Sequence, residues 1–177
     1  MIIGINCNIH PTVQLFNADV IEIGDNTRID AFCILSGGKG IKIGSHTHIG
    51  AGSYLYGGSG ILLEDFAEMA PQCILHSDCD DWSGDSLVGP QIPLSFKPGI
   101  KNGTIAMRRH SLLGARCTVL PGVTIHEGAA VGAHSLVKQD CDEWSIYVGV
   151  PSRKVALRSR KMLELEKEFL KQYRGEL

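Results

Sequence analysis

Ile21-Glu22-Ile23-Gly24-Asp25-Asn26-Thr27-Arg28-Ile29-Asp30-Ala31-Phe32-Cys33-Ile34-Leu35 runs into Ser36-Gly37-Gly38-Lys39-Gly40, and then Ile41-Lys42-Ile43 starts the same pattern again. The large apolar residues Ile23, Ile29, Leu35 and Ile43 stand 6, 6 and 8 apart. Extended outward, the stretch overlays its neighbours at a period of 20 residues, with Ile3, Ile23, Ile43 and Leu63 in one column. Ile9, Ile29, Ile49 and Met69 form a second column, and Leu15, Leu35, Leu55 and Leu75 a third. A repeat of this length is the signature of a solenoid and decides the fold before any local reading does. Steps of six fit neither a helix of 3.6 residues per turn nor an isolated alternating strand, but they suit short flat strands joined by tight corners. Three such steps close a triangle.

Four residues after each column residue comes a small side chain, Cys7, Thr27, Thr47 and Ala67 in one row and Val13, Cys33, Ser53 and Cys73 in another. Small groups there let the chain turn a corner inward. The two extra residues of each 20-residue unit fall at one corner, where Gly37, Gly38, Gly57, Gly58 and Gly60 gather and positive φ is cheap. Farther on, Met107, Leu113, Val119, Ile125, Val131 and Val137 step by six without insertion. Stacked coils about 4.8 Å apart turn each column into a buried ladder. Each buried Ile or Leu contributes roughly 1.5–3 kcal/mol.

This pattern resembles the hexapeptide repeat of the left-handed parallel β-helix acyltransferases over roughly residues 1–150. The resemblance supplies the handedness, which the spacing alone does not give. It implies an all-β fold, a left-handed β-helix over 1–155 from which an arm at 78–104 departs, followed by a C-terminal helix and tail at 156–177. The helix is read from Leu157, Met162, Leu165, Phe169 and Tyr173, which recur three to five apart between Glu and Lys.

Composition narrows the function. The chain has 177 residues, 44% of them hydrophobic, and 21 glycines, which suits one domain with many corners. A net charge of −2 without a long basic run argues against a nucleic-acid partner. No apolar run approaches the ~18 residues of a membrane span, and Met1-Ile2-Ile3-Gly4 leads directly into the first coil, so a soluble cytoplasmic protein is expected. Cys7, Cys33, Cys73, Cys117 and Cys141 hold the small corner position and read as buried thiols acting as small hydrophobes. Cys79 lies in the arm and has no CxxC partner, so no metal is expected.

Between Leu75 and Met107 the spacing is 32 residues where earlier coils use 8, so about two dozen residues loop out. The segment opens His76-Ser77-Asp78-Cys79-Asp80-Asp81-Trp82-Ser83-Gly84-Asp85, and its Leu87, Val88, Ile92, Leu94 and Phe96 argue for a docked arm rather than disorder. In layout the chain is similar to the galactoside, maltose and xenobiotic acetyltransferases and, through its acidic, aromatic, glycine-containing arm, to sugar acetyltransferases of surface-polysaccharide pathways. The resemblance implies an acetyl-CoA-dependent transfer to a hydroxyl or amine of a sugar or nucleotide-linked sugar. It implies a homotrimer with sites between subunits, in which the arm reaches across a neighbour. His76 is then the general base, oriented by Asp78 and Asp81, with Asp80 and Trp82 on the acceptor and His110 and His134 as reserve bases. A neutral imidazole suits that task near pH 7 and is worth about 10²–10⁴-fold in rate.

The resemblance also implies that coenzyme A follows Gly114, Ala115, Gly132, Ala133 and Ser135, with Lys138 and Lys154 near its phosphates and Pro151 in the closing coenzyme motif. Val119-Leu120-Pro121-Gly122-Val123-Thr124-Ile125 matches the family pattern, and Gly149-Val150-Pro151-Ser152 stands where relatives commonly have Gly-Asn-Pro-Ala. Two other readings share the coil architecture. A γ-type carbonic anhydrase needs two zinc histidines five apart, a spacing no pair among these seven histidines has. A non-catalytic assembly subunit leaves the arm and the closing motif without a purpose.

Overall fold

The structure, a computed structural model, describes residues 1–173; the end of the expected tail, 174–177, lies outside the described residues. The chain winds about seven left-handed turns, and its three faces are sheets of parallel strands, the second extended by one antiparallel strand. The first face stacks Ile2–Ile3, Ile21–Ile23, Ile41–Ile43, Ile61–Leu63, Ile105–Met107 and Thr124–Ile125. The third stacks Gln14–Phe16, Ile34–Ser36, Tyr54–Tyr56, Ile74–His76, Thr118–Val119 and Leu136–Val137. The second face carries six matching strands from Asn8–Ile9 to Ala130–Val131 and is extended by Ser145–Gly149 and Ser152–Leu157.

The three apolar columns of the sequence are rows of strand register. Ile3 pairs with Ile23, Ile23 with Ile43, Ile43 with Leu63, Leu63 with Met107 and Met107 with Ile125. The long insertion therefore leaves the register intact, with Leu75 stacked directly on Val119. From the second coil onward the column side chains are at most 4% exposed. The corner positions also explain the cysteines: Cys7, Cys33, Cys73 and Cys117 each donate a thiol hydrogen bond to the carbonyl of Gly24, Gly50, Gly114 and Gly132 respectively, on the adjacent coil, at 3.1–3.3 Å. Thr27 does the same to Gly44 at 2.9 Å. A small side chain with a weak donor fills the corner and satisfies a carbonyl there.

At the glycine-rich corner, Gly38 has φ +52° and a Cβ built on it would lie 2.2 Å from the Gly57 carbonyl oxygen, so both conformation and space require glycine. The corner between the first and second faces is built differently, from side chains at positive φ: His46, Phe66, His110 and Trp144. Their rings form a ladder, with centroids 4.9 Å apart for His46–Phe66, 5.1 Å for Phe66–His110 and 6.3 Å for His110–Trp144. Stacking and burial offset the roughly 1–3 kcal/mol that such a backbone conformation costs a non-glycine residue.

The C-terminal helix, α1, spans Met162–Tyr173 and starts later than the sequence pattern indicates. Ser152–Leu157 is instead a strand antiparallel to Ser145–Gly149, which extends the β part past the expected boundary at 155. Leu157 belongs to that strand and is exposed, so it never joins the helical stripe. The helix packs on the aromatic ladder, with Phe169 and Tyr173 edge-on to His46 at 5.3 Å. Glu166 accepts from the His110 ring at 2.8 Å and pairs with Arg109. His110, expected as a reserve base, is only 7% exposed and is held by the helix.

Candidate active site

The third column residue of each coil is followed by an outward side chain at one edge of the prism, in the order Phe16, Ser36, Tyr56, His76, Leu120 and Lys138. The arm leaves this edge just after His76 and returns at Ile105, which pairs with Ile61. Its neck is a two-stranded antiparallel ribbon in which Asp78 faces Asn102 and Cys79 faces Lys101. Beyond the neck the segment is ordered by its own contacts. Lys97, itself only 7% exposed, pairs with the Asp80 carboxylate and donates to the Gly89 carbonyl at 3.1 Å. The second Asp80 oxygen accepts from the Gly89 N–H at 2.7 Å, and Leu87 N–H donates to the Phe96 carbonyl at 3.0 Å.

The root of the arm divides the edge into two cavities. The lower one, about 650 Å³, is lined by Ser36, Tyr56, Gly58, His76 and Asp78 from the prism and the arm's neck, and by Asp80, Trp82, Pro90 and Lys97 from the arm. The upper one, about 230 Å³, lies between the arm root and Lys101, Leu120, Pro121 and Lys138. Cys79, Asp80 and Trp82 line both.

His76 stacks on Tyr56 with centroids 4.7 Å apart and planes 15° from parallel. Burial lowers its pKa below the ordinary histidine value, and the charge of Asp78 offsets part of that, so the ring is neutral near pH 7. Among the described residues no carboxylate hydrogen-bonds the His76 ring. The Asp78 carboxylate lies against Gly58, where a Cβ would sit 2.2 Å from its Oδ1. Asp81, expected beside His76, accepts instead from the Ser83 hydroxyl and N–H and closes a local turn outside the lower cavity. Asp80 has its pKa lowered by the Lys97 ammonium and the Gly89 N–H, so it is ionised at neutral pH. Trp82 is 81% exposed at the mouth of both cavities.

The residues expected to follow the coenzyme fall on two different edges. Gly114, Ala115, Gly132 and Ala133 lie at the corner between the second and third faces, where a Cβ on Gly114 would meet the Ala133 N–H at 2.6 Å, so the coils touch through backbone. Lys138 lies on the His76 edge and lines the upper cavity. The Ser135 hydroxyl is buried and used within the chain, donating to the Gly132 carbonyl at 2.7 Å and accepting from the Gly149 N–H at 3.0 Å. Pro151 forms the turn before Ser152–Leu157, and Lys154 pairs with Asp142 at 3.0 Å. His134, the other reserve base, is an exposed corner residue on the same edge as Ala115, whose carbonyl its N–H bonds at 2.8 Å.

Sequence reasoning missed Tyr56, Ser36 and Lys97. The first two stand one and two repeats before His76, so the 20-residue period carried the signal; Lys97 had none, because the arm is outside the repeat. Among the described residues no three His, Cys, Asp or Glu side chains converge to hold a metal, and no helix is long and apolar enough to cross a membrane.

Known proteins of this architecture agree with the geometry. The family described as hexapeptide repeat of succinyl-transferase matches residues 20–57 and 109–137. The dTDP-4-amino-4,6-dideoxy-D-glucose acyltransferase of Escherichia coli is 36% identical over 168 residues, covering 94% of this chain and 87% of that protein. The crystal structure of AntD, an N-acyltransferase from Bacillus cereus, in complex with dTDP and 3-hydroxybutyryl-CoA superposes with a TM-score of 0.93 at 47% identity, covering 97% of this chain and 90% of AntD. A serine-to-cysteine variant of AntD, in complex with dTDP-4-amino-4,6-dideoxyglucose and coenzyme A, matches equally well, with a TM-score of 0.93 at 47% identity over 96% of this chain and 90% of that one. A three-sided coil, an arm that splits one edge into paired cavities, and two enzymes that match nearly the whole chain lead to one assignment: the protein belongs to the hexapeptide-repeat sugar acyltransferases.

Proposed function

We propose that the protein transfers an acyl group from coenzyme A to the amino group of a dTDP-linked 4-amino-4,6-dideoxyhexose, in the cytoplasm, for surface-polysaccharide assembly. The observation that carries this reading is the arm root, where the ionised Asp80 faces two adjoining cavities. An amino sugar enters the lower cavity as an ammonium, and a carboxylate there attracts it in a way it cannot attract a hydroxyl. The thioester approaches from the upper side, with its phosphates toward Lys138 and Lys101. After the ammonium loses its first proton to solvent, the free amine attacks the thioester carbonyl, forming a C–N bond and a tetrahedral oxyanion. Collapse breaks the C–S bond. The neutral His76 ring takes the proton the amine sheds and returns it to the departing thiolate.

The finer arrangement follows from the two edges. His76 and the Gly114–Ala133 backbone flank the third face on opposite sides, so one prism cannot bring them together. The middle outward row of that face, Gln14, Ile34, Tyr54, Ile74, Thr118 and Leu136, carries no charge, whereas the rows of the other two faces carry Glu22, Lys42, Arg28, His48 and Glu68. Three copies packed with this face toward a common axis set the His76 edge of one beside the glycine edge of the next. Acetyl or a larger acyl group, carried by coenzyme A along that glycine edge, then reaches the arm root of the neighbour. Sedimentation should give three times 19.2 kDa.

A second reading makes Asp80 the proton acceptor, favoured by its position on both cavities. Its lowered pKa makes it the weaker base, and the two are separated by kinetics. His76→Ala should lower kcat by about 10²–10⁴-fold and leave the coenzyme Kd unchanged. A His76→Ala enzyme with wild-type kcat would move the base to Asp80. Absence of thiol release from acetyl-CoA or 3-hydroxybutyryl-CoA with any dTDP-linked amino sugar would remove the function itself.

A further inference from the structure

A lysine that is only 7% exposed, in an arm otherwise rich in exposed apolar groups, requires an explanation. Lys97 lies seventeen residues beyond Asp80 in sequence, yet its ammonium meets that carboxylate and the Gly89 carbonyl together. The other Asp80 oxygen accepts from the Gly89 N–H, so start, middle and end of the arm meet at one carboxylate. The two bonds fix the plane of that carboxylate, and Asp80 lines both cavities. Lys97 also lines the lower cavity, together with His76 and Tyr56.

We propose that Lys97 is a positioning residue for amine recognition: its buried ammonium holds the Asp80 carboxylate at the junction of the two cavities, in the orientation that receives the amino group of the acceptor. The inference rests on the acceptor being an amino sugar held by Asp80. Without Lys97 the carboxylate rotates toward solvent and the wall formed by Trp82 and Pro90 loosens, while Leu120, Pro121 and Lys138 of the upper cavity, carried by other coils, keep their places. Charge alone does not account for the arrangement, because a lysine on the arm's surface would neutralise Asp80 without fixing its plane.

The test is a double-mutant cycle on the whole enzyme with a dTDP-linked amino sugar and acetyl-CoA, following thiol release. Lys97→Met should raise KM for the amino sugar about tenfold with kcat changed less than about threefold and the coenzyme KM unchanged. Asp80→Asn should raise the same KM by at least as much. The double variant Asp80→Asn/Lys97→Met, which buries no unpaired charge and so retains the fold, should match Asp80→Asn alone, because Lys97 acts only through that carboxylate. Losses that multiply, or a Lys97→Met enzyme with a wild-type amino-sugar KM, would overturn the role of Lys97 and leave the function standing. An Asp80→Asn enzyme with an unchanged KM would instead overturn amine recognition by Asp80, and with it the reading on which this inference rests.

Discussion

Alanine at Gly58 is a perturbation whose effect on the site and on stability should part company. The backbone of Gly58 is not in the left-handed region, so alanine adopts it without strain. A Cβ there would lie 2.2 Å from Oδ1 of Asp78 and 2.5 Å from its Cγ and Oδ2, and no other heavy atom comes nearer. To regain ordinary contact at 3.4 Å the carboxylate has to withdraw by about 1.2 Å, the difference between 3.4 and 2.2 Å. The obstacle is the end of a half-exposed side chain, so rotation relieves it cheaply. The methyl group also restricts the unfolded chain, which stabilises by roughly 0.4–1 kcal/mol. Urea unfolding of Gly58→Ala should therefore fall within about 1 kcal/mol of wild type. Activity should not be so tolerant. Asp78 lies beside His76 and its charge supports the basicity of that ring, and a displacement of about 1 Å next to the reacting groups costs up to ~10²-fold, so kcat from a thiol-release assay should fall between tenfold and a hundredfold. Asp78→Ala should do the same, and the two together no worse than either. A Gly58→Ala enzyme of unchanged kcat, with the carboxylate displaced in its crystal structure, would remove Asp78 from the chemistry.

At the opposite corner, Gly128→Ala should be severe for stability and mild for the site: its Cβ would lie 2.4 Å from Trp144 Cδ2 at φ +66°, so the indole has to leave the ladder, at a cost of about 2–4 kcal/mol in urea unfolding. Red-shifted tryptophan fluorescence in the folded variant would report the exposed ring, and unchanged emission and stability would contradict the packing. His48 bridges three coils, with its ring nitrogens 2.7 Å from Glu68 and 2.9 Å from Asp30, both carboxylates. Burial disfavours its charge, but the hydrogen bonds to Asp30 and Glu68 outweigh that and raise its pKa, while the His48 hydrogen bond lowers that of Asp30. The raised His48 contributes fully below its unfolded value near ~6.5 and is lost as pH rises through its folded value; the lowered Asp30 contributes above ~3.9 and is lost as pH falls through its folded value. Wild type should thus exceed His48→Gln in stability most between about pH 4 and 6.5, by no more than about 1 kcal/mol at so open a position, and a gap that widens above pH 7 would refute the charged bridge.

The prism was legible because its signal is redundant. Ile23, Ile43, Leu63 and Met107 occupy one structural row, and a single misplaced residue would have shown against the rest. The arm has no second copy of itself in the chain, so periodicity said where it begins and ends and nothing about its interior. Its neck ribbon, its Lys97 network and the local turn at Asp81 depend on contacts whose separations run from 2 to 24 residues with no repeated spacing. Asp81 and Asp80 are neighbours with the same side chain, and only the fold decides that one closes a turn while the other faces both cavities. The C-terminal boundary failed for a related reason. Leu157 fits a helical stripe with Met162 and Leu165, but the open edge at Ser145–Gly149 offers strand 152–157 five paired positions, and pairing wins over periodicity.

The histidines show how position in a coil fixes chemistry before any substrate arrives. His110 occupies a positive-φ corner, stacks on Phe66 and meets Glu166 of α1, so burial and the charges of Arg109 and Arg158 lower its pKa in a place no acceptor reaches. His48 stands mid-face, where the rows above and below supply carboxylates that occupy both ring nitrogens and raise its pKa, so neither nitrogen is open to a substrate. His76 alone follows a third-column residue at the edge the arm leaves: Tyr56 beneath it is uncharged, Leu120 above it is apolar, and the ring stays neutral with a nitrogen free for a proton. A solenoid gives every coil the same three kinds of outward position. What differs is the residue one repeat away, and that neighbour decides whether an imidazole becomes a brace, a bridge or a base.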